Sequence, residues 1–128
     1  MKKLITLVTT ALLAVSAYAG EYPDISVKEL KSAIAAKKVT VIDVNGSDSY
    51  QKGHIPGSID FAKKKADLAK VLPQDKDALV VAYCGGPTCG AYAAAAKAAK
   101  ELGYKNVKHL SAGISGWKEA GETLEPAK

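Results

Sequence analysis

The chain has 128 residues, a formal net charge of +5 and only two cysteines. That length supports a single domain with its own core, and two thiols exclude a disulfide-stapled scaffold. The charge is too mild and too dispersed for a nucleic-acid surface. All 18 basic residues are lysine, so no guanidinium fork exists for phosphate or carboxylate.

Met1-Lys2-Lys3 is a short cationic start, and Leu4 to Val15 is an uncharged, mostly apolar run of 12 residues. A spanning helix needs about 20. Ala17 and Ala19 are the small residues a signal peptidase requires. The pattern predicts a secretory leader over 1–19, cleaved between Ala19 and Gly20. The domain then occupies 20–128, with its core at about 25–121. The mature protein is expected to be periplasmic or secreted, with no stable membrane anchor.

Glu21 to Ile25 reads as an extended entry segment. Ser26 with Glu29 forms a capping box, and Val27, Leu30, Ile34 and Ala35 repeat at helical spacing. Val39 to Val44 is a β-branched run of the buried-strand type. Asp48 to Lys52 fits a helical turn, and Gly53 to Gly57 is a loop. Ala62 to Val71 reads as a helix stopped by Pro73. Leu79 to Tyr83 is a second buried strand, and Gly90 to Leu102 is an alanine-rich helix ended by Gly103. Val107 to Leu110 is a third strand, and Ser115 to Ala120 a short helix. Strands alternating with helices predict an α/β fold with a mostly parallel sheet.

The chemistry concentrates between Leu79 and Gly90. Cys84 ends a buried strand, the loop Gly85-Gly86-Pro87-Thr88-Cys89-Gly90 follows, and a helix begins. Ligands bind at the carboxyl edge of such sheets. Glycines let a loop turn its N–H groups inward as an anion nest, and the helix start adds its positive end. A thiol there is expected to ionise readily and act as a nucleophile. The bland alternative is a cysteine that only packs at the strand end. Cys89 is either a resolving thiol, able to attack a persulfide or sulfenate on Cys84, or an inward-packed residue at the helix start.

Three groups of residues carry a family resemblance. Val41-Ile42-Asp43-Val44 with Gly53-His54-Ile55-Pro56-Gly57-Ser58-Ile59 resembles the first half of the rhodanese signature. Tyr83-Cys84 and its loop resemble the active-site loop of that family. Gly103-Tyr104-Lys105-Asn106-Val107, then Leu110, Gly113-Ile114, Trp117, Ala120 and Gly121, match the pattern that closes the domain. The resemblance implies a five-stranded, mostly parallel sheet with helices on both faces. It also implies sulfur transfer through a persulfide on Cys84. Two departures stand out. Asn45 occupies a position where the family often has arginine, and the loop has no basic residue. The missing basic residue in the loop disfavours thiosulfate as the donor. A Cys-x5-Arg phosphate loop would need arginine where Gly90 stands, which disfavours phosphatase chemistry.

Asp43 and Asn45 are candidates to orient the loop, Asp43 by accepting backbone N–H bonds; for Asp43 the alternative is a turn cap unrelated to chemistry. His54 is a tempting general base, but the resemblance implies a structural role. His109 receives no role, Lys63-Lys64-Lys65 reads as a solvated face, and Trp117 reads as core. No cofactor or metal is expected, because two histidines and two cysteines in unrelated segments lack ligand spacing. The expected partners are a small sulfur donor and a thiol or other acceptor, with a redox or acceptor protein left unnamed. The leading function is a sulfurtransferase. The alternatives are a sulfur- or oxyanion-binding or thiol–disulfide module using Cys84 and Cys89, and an inactive scaffold.

Overall fold

The computed structural model describes residues 22 to 127. The leader over 1–19 and its cleavage point lie outside the described residues. Four parallel strands, β1 (Val39–Asp43), β2 (Ile59–Asp60), β3 (Leu79–Tyr83) and β4 (Asn106–His109), form a sheet in the order β2-β1-β3-β4. β1 and β3 lie side by side from Val39↔Leu79 to Asp43↔Tyr83.

The alternation of side chains along β1 and β3 divides the core in two. Ile42, Val80, Ala82 and Cys84 face one cluster with Leu68, Leu72, Tyr92, Ala95, Ala96, Ala99 and Tyr104. Val41, Val81 and Tyr83 face the other with Ile25, Leu30, Ile55, Leu110 and Trp117. Each cluster is covered by helices, α4 (Leu68–Val71) and α5 (Tyr92–Glu101) on one side, α1 (Val27–Ala35) and α6 (Gly113–Glu119) on the other. Burial on both faces explains why β1 and β3 read as continuous apolar runs. In α5, fully buried Ala95, Ala96 and Ala99 let the helix lie close on the sheet.

The structure corrects the sequence reading in four places. The sheet has four strands, not five. The entry segment makes a single parallel bridge, Asp24↔His109, with Ile25 N–H donating to His109 O and His109 N–H to Pro23 O, both at 2.9 Å. Pro23 has no N–H to extend this ladder, and Ser26, two residues after Asp24, caps α1 through its capping box with Glu29. The short strand β2 was not foreseen. The helix expected over Ala62–Val71 divides into α3 (Phe61–Lys64), a 3-10 turn (Lys65–Asp67) and α4. Residues 62 to 67 are all exposed, so no packed face holds one continuous helix there. Finally, α6 starts at Gly113 rather than Ser115 and α5 at Tyr92 rather than Gly90. Between Lys52 and Ile59, α2 (Ser47–Lys52) leads into the Gly53–Gly57 loop as expected.

Candidate active site

Cys84 follows the last residue of β3, at the carboxyl edge of the sheet, and is almost wholly buried. Its sulfur is bonded to that of Cys89, with the two Cα atoms 6.3 Å apart. The loop between them is held from below by α6. Ile114 N–H donates to Cys84 O and Ser115 N–H to Gly85 O, both at 3.0 Å. Cys89 N–H donates to Gly86 O at 3.1 Å and closes a turn. Among the described residues, the N–H groups of Gly85, Gly86, Thr88 and Gly90 find no hydrogen-bond partner. Ala91, the N-cap of α5, supplies no side-chain cap, and the N–H groups of Ala93 and Ala94 turn back to Gly90 O and Ala91 O, so the positive end of that helix begins beside the loop. The loop is therefore rich in free donors, and the carbonyls of Cys84, Gly85 and Gly86 are engaged. Pro87 and Thr88 are exposed at its tip, while Cys89 is partly buried.

Asn45 lies beside this loop, its Oδ1 3.8 Å from the point a Cβ on Gly85 would occupy. Its Nδ2 is buried without a partner. The Asn45 side chain therefore borders the cysteine loop through its carbonyl oxygen.

Asp43 sits elsewhere. It is fully buried, and strand alternation aims it at the face opposite Cys84. Tyr83 OH donates to its Oδ2, and Asn45 N–H donates to its Oδ1 at 2.8 Å. Tyr83 OH in turn accepts Ile55 N–H at 3.0 Å and lies 3.4 Å from Ser58 Oγ. Asp43 makes no hydrogen bond to residues 84–90. It anchors the residue before Cys84 and, through the phenol, the Gly53–Gly57 loop. Burial raises its pKa above 3.8, against the opposing pull of the Tyr83 and Asn45 hydrogen bonds. Burial, together with the Asp43 charge, also raises the Tyr83 phenol.

A raised carboxyl pKa stabilises the fold fully below the unfolded value, and the contribution is lost as pH rises through the folded value. The stability of the wild type relative to Asp43→Asn is therefore expected to grow as pH falls toward 3.8 and then to level off. Urea unfolding of both proteins across an acidic pH series checks this. A gap that shrinks on acidification would contradict it.

Both ring nitrogens of His54 are engaged, Nδ1 with Tyr50 O at 2.8 Å and Nε2 with Glu125 Oε2 at 3.3 Å. The ring stacks on Tyr50, and the backbone pairs with Glu125. His54 pins the C-terminal tail and is not poised as a base. His109 is buried, stacks on Tyr92 and is held toward its neutral form by burial. Trp117 is core, its Nε1 donating to Thr123 O at 2.7 Å. Lys63, Lys64 and Lys65 are exposed. Among the described residues no group of His, Cys, Asp or Glu is arranged to hold a metal.

Three contributors escaped the sequence reading. The buried phenol of Tyr83 links three segments, and its place one residue before Cys84 on an alternating strand was the available signal. The N–H groups of Ile114 and Ser115, which clamp the loop, left no sequence signal apart from Gly113.

A doubly covered parallel sheet with a cysteine loop at its carboxyl edge defines the class. The rhodanese-like domain model matches residues 26–120, and the chain belongs to that family. A thiosulfate sulfurtransferase, GlpE of Shewanella oneidensis, is 31% identical over 104 residues, covering 79% of this chain and 97% of that protein. An HTH-type transcriptional regulator of Mycobacterium tuberculosis is 38% identical over 94 residues, 73% of this chain; the chain spans only 40% of that regulator's length. Among solved structures, the BH2092 protein of Bacillus halodurans is 29% identical with a TM-score of 0.69, covering 82% of this chain and 77% of its own.

Proposed function

We propose that this protein is a sulfurtransferase that carries sulfane sulfur as a persulfide on Cys84 and passes it to a thiol or other nucleophile. The observation that carries this reading is the loop itself. Next to Cys84 in the chain, the N–H groups of Gly85, Gly86, Thr88 and Gly90 have no partner among the described residues, while α6 engages the carbonyls of Cys84 and Gly85. The reduced Cys84 thiolate attacks the outer sulfur of the donor, the bond between that sulfur and the donor breaks, and the donor leaves with the electron pair. The persulfide anion rests against the N–H groups, which need no reorganisation to receive it. An acceptor then takes the outer sulfur and regenerates the thiolate. GlpE, named for thiosulfate, is a relative in this class of chemistry.

Thiosulfate itself is a poor fit here. A dianion entering the loop loses hydration, and charge-assisted bonds offset that loss. The loop offers N–H groups and the Thr88 hydroxyl but no cation, and no lysine hydrogen-bonds to it among the described residues. One charge-assisted bond is worth about 1.5–3 kcal/mol, or roughly ten- to a hundredfold in efficiency. The test compares kcat/KM for thiosulfate and for a small-molecule persulfide in the reduced wild type and in Thr88→Arg. The wild type is expected to prefer the persulfide, and the arginine to raise thiosulfate selectively. A wild type that already prefers thiosulfate, unmoved by the arginine, would contradict the reading.

The same proposal places the mature protein outside the cytoplasm, on the leader pattern of residues 1–19. Intact mass of the exported protein should begin at Gly20. A mature form still carrying Met1 to Ala19 would remove the basis for this.

A further inference from the structure

Sulfur bound to Cys84 has a second way out. The Cys84–Cys89 bond shows that the two sulfurs meet while the loop remains tied to α6. Their 6.3 Å Cα separation lies within the range a disulfide tolerates. The two thiols also differ in access. Cys84 is 2% exposed, whereas Cys89 is only partly buried next to the exposed tip of Pro87 and Thr88. An outside thiol meets Cys89 first.

We propose that the loop is also a sulfane-sulfur reductase, releasing the sulfur it accepts as sulfide at the expense of its own two thiols. This rests on the persulfide reading of Cys84. With a persulfide donor, the Cys84 thiolate takes the terminal sulfur and the donor leaves as its thiolate. The Cys89 thiolate then attacks Sγ of Cys84. The Sγ–Sγ bond forms, the bond between Sγ of Cys84 and the outer sulfur breaks, and hydrosulfide leaves with the electron pair. The sulfane sulfur is reduced to sulfide, and two cysteine thiols are oxidised to the disulfide present in the structure.

A dithiol of small-molecule or protein origin completes the cycle. It attacks Sγ of Cys89, the exposed side, and expels the Cys84 thiolate, which the free N–H groups of Gly85, Gly86, Thr88 and Gly90 stabilise. Its second thiol then displaces Cys89. The sum is persulfide plus dithiol giving thiol, sulfide and a disulfide. Attack within so short a loop proceeds at an effective concentration of about millimolar or more, so release outruns transfer whenever acceptors are scarce.

The experiment uses the full chain, reduced and then freed of reductant, with a single equivalent of glutathione persulfide. Sulfide is measured against a protein-free control, and intact mass is read on the chain. Wild type should release one sulfide per chain and emerge about 2 Da lighter than its reduced form. Cys89→Ser should release none above the control and emerge about 32 Da heavier, one sulfur retained. Cys84→Ser should do neither. A wild type that keeps the added sulfur with Cys89 still open to alkylation would overturn the reductase step alone. A sulfur adduct on Cys84→Ser would overturn the assigned order of the two cysteines. Failure of both wild type and Cys89→Ser to take up sulfur would overturn the persulfide reading, and the reductase with it.

Discussion

Replacing Cys84 with serine is expected to lower sulfur transfer by at least about a thousandfold, the scale on which removal of a covalent nucleophile acts. A hydroxyl at this position remains protonated at neutral pH and cannot carry sulfane sulfur, however well the surrounding N–H groups are placed. The stability cost is smaller. A serine hydroxyl in the nearly closed pocket at the end of β3 costs roughly 1–3 kcal/mol. Loss of the Cys84–Cys89 cross-link across a separation of five residues costs about 2 kcal/mol by the chain-entropy argument. Cys89→Ser loses the same cross-link. The two variants should therefore share a drop in urea midpoint under oxidising conditions yet diverge in chemistry, only Cys84→Ser being unable to load sulfur. Transfer within tenfold of wild type in Cys84→Ser would place the reactive sulfur elsewhere.

Gly113→Ala is expected to damage the site without touching a reactive group. Gly113 has φ +65°, and a Cβ there would lie 2.5 Å from Gly85 C and from Gly86 N and 2.6 Å from Gly85 O. Those atoms are backbone and cannot swing aside. An alanine in the left-handed region costs about 1–2 kcal/mol by itself. Relief of the contact must also lift α6 from the loop, stretching the bonds from Ile114 to Cys84 O and from Ser115 to Gly85 O. A total loss of about 3 kcal/mol or more is expected, with kcat/KM down at least about tenfold under conditions where the variant is still folded. Gly121→Ala is the control. It has φ +81° with nothing within 4 Å, so it carries only the conformational cost, about 1–2 kcal/mol, and should leave transfer untouched. Urea midpoints and transfer assays on the two variants decide the matter. Equal behaviour of the pair would mean that the close approach of α6 to the loop is not what holds Cys84 in place.

The architecture was legible where local signals and tertiary packing agree. Val39–Asp43 and Leu79–Tyr83 are buried on both faces and read as such, and the Ser26–Glu29 capping box is present in atomic detail. The reading failed where packing decides. Ala62–Val71 has helical composition, but its exposed middle, residues 62–67, has nothing to pack against and breaks. The expected fifth strand needed a longer ladder than Pro23 and the start of α1 allow. Cys84 and its loop stood out because a strand, a thiol, three glycines and a helix occur in one contiguous stretch. The clamp on that loop did not, because Gly113 lies far away in the chain and only the fold shows which backbone it touches. Asp43 illustrates a different limit. Its place at the end of β1 was legible, but its side of the sheet sends its carboxyl to Tyr83 rather than to the cysteine loop.

The central claim is that sulfur travels on Cys84, and the most direct measurement is to find the sulfur. The reduced full chain is mixed with a small-molecule persulfide, quenched early with an alkylating agent, and mapped by peptide mass. The account predicts an added sulfur, about 32 Da, on the peptide containing Cys84, lost on addition of an acceptor thiol. Fragment ions that place the sulfur on Cys89 instead, or donor consumed with neither sulfane sulfur on Cys84 nor released sulfide and a Cys84–Cys89 disulfide, would contradict it.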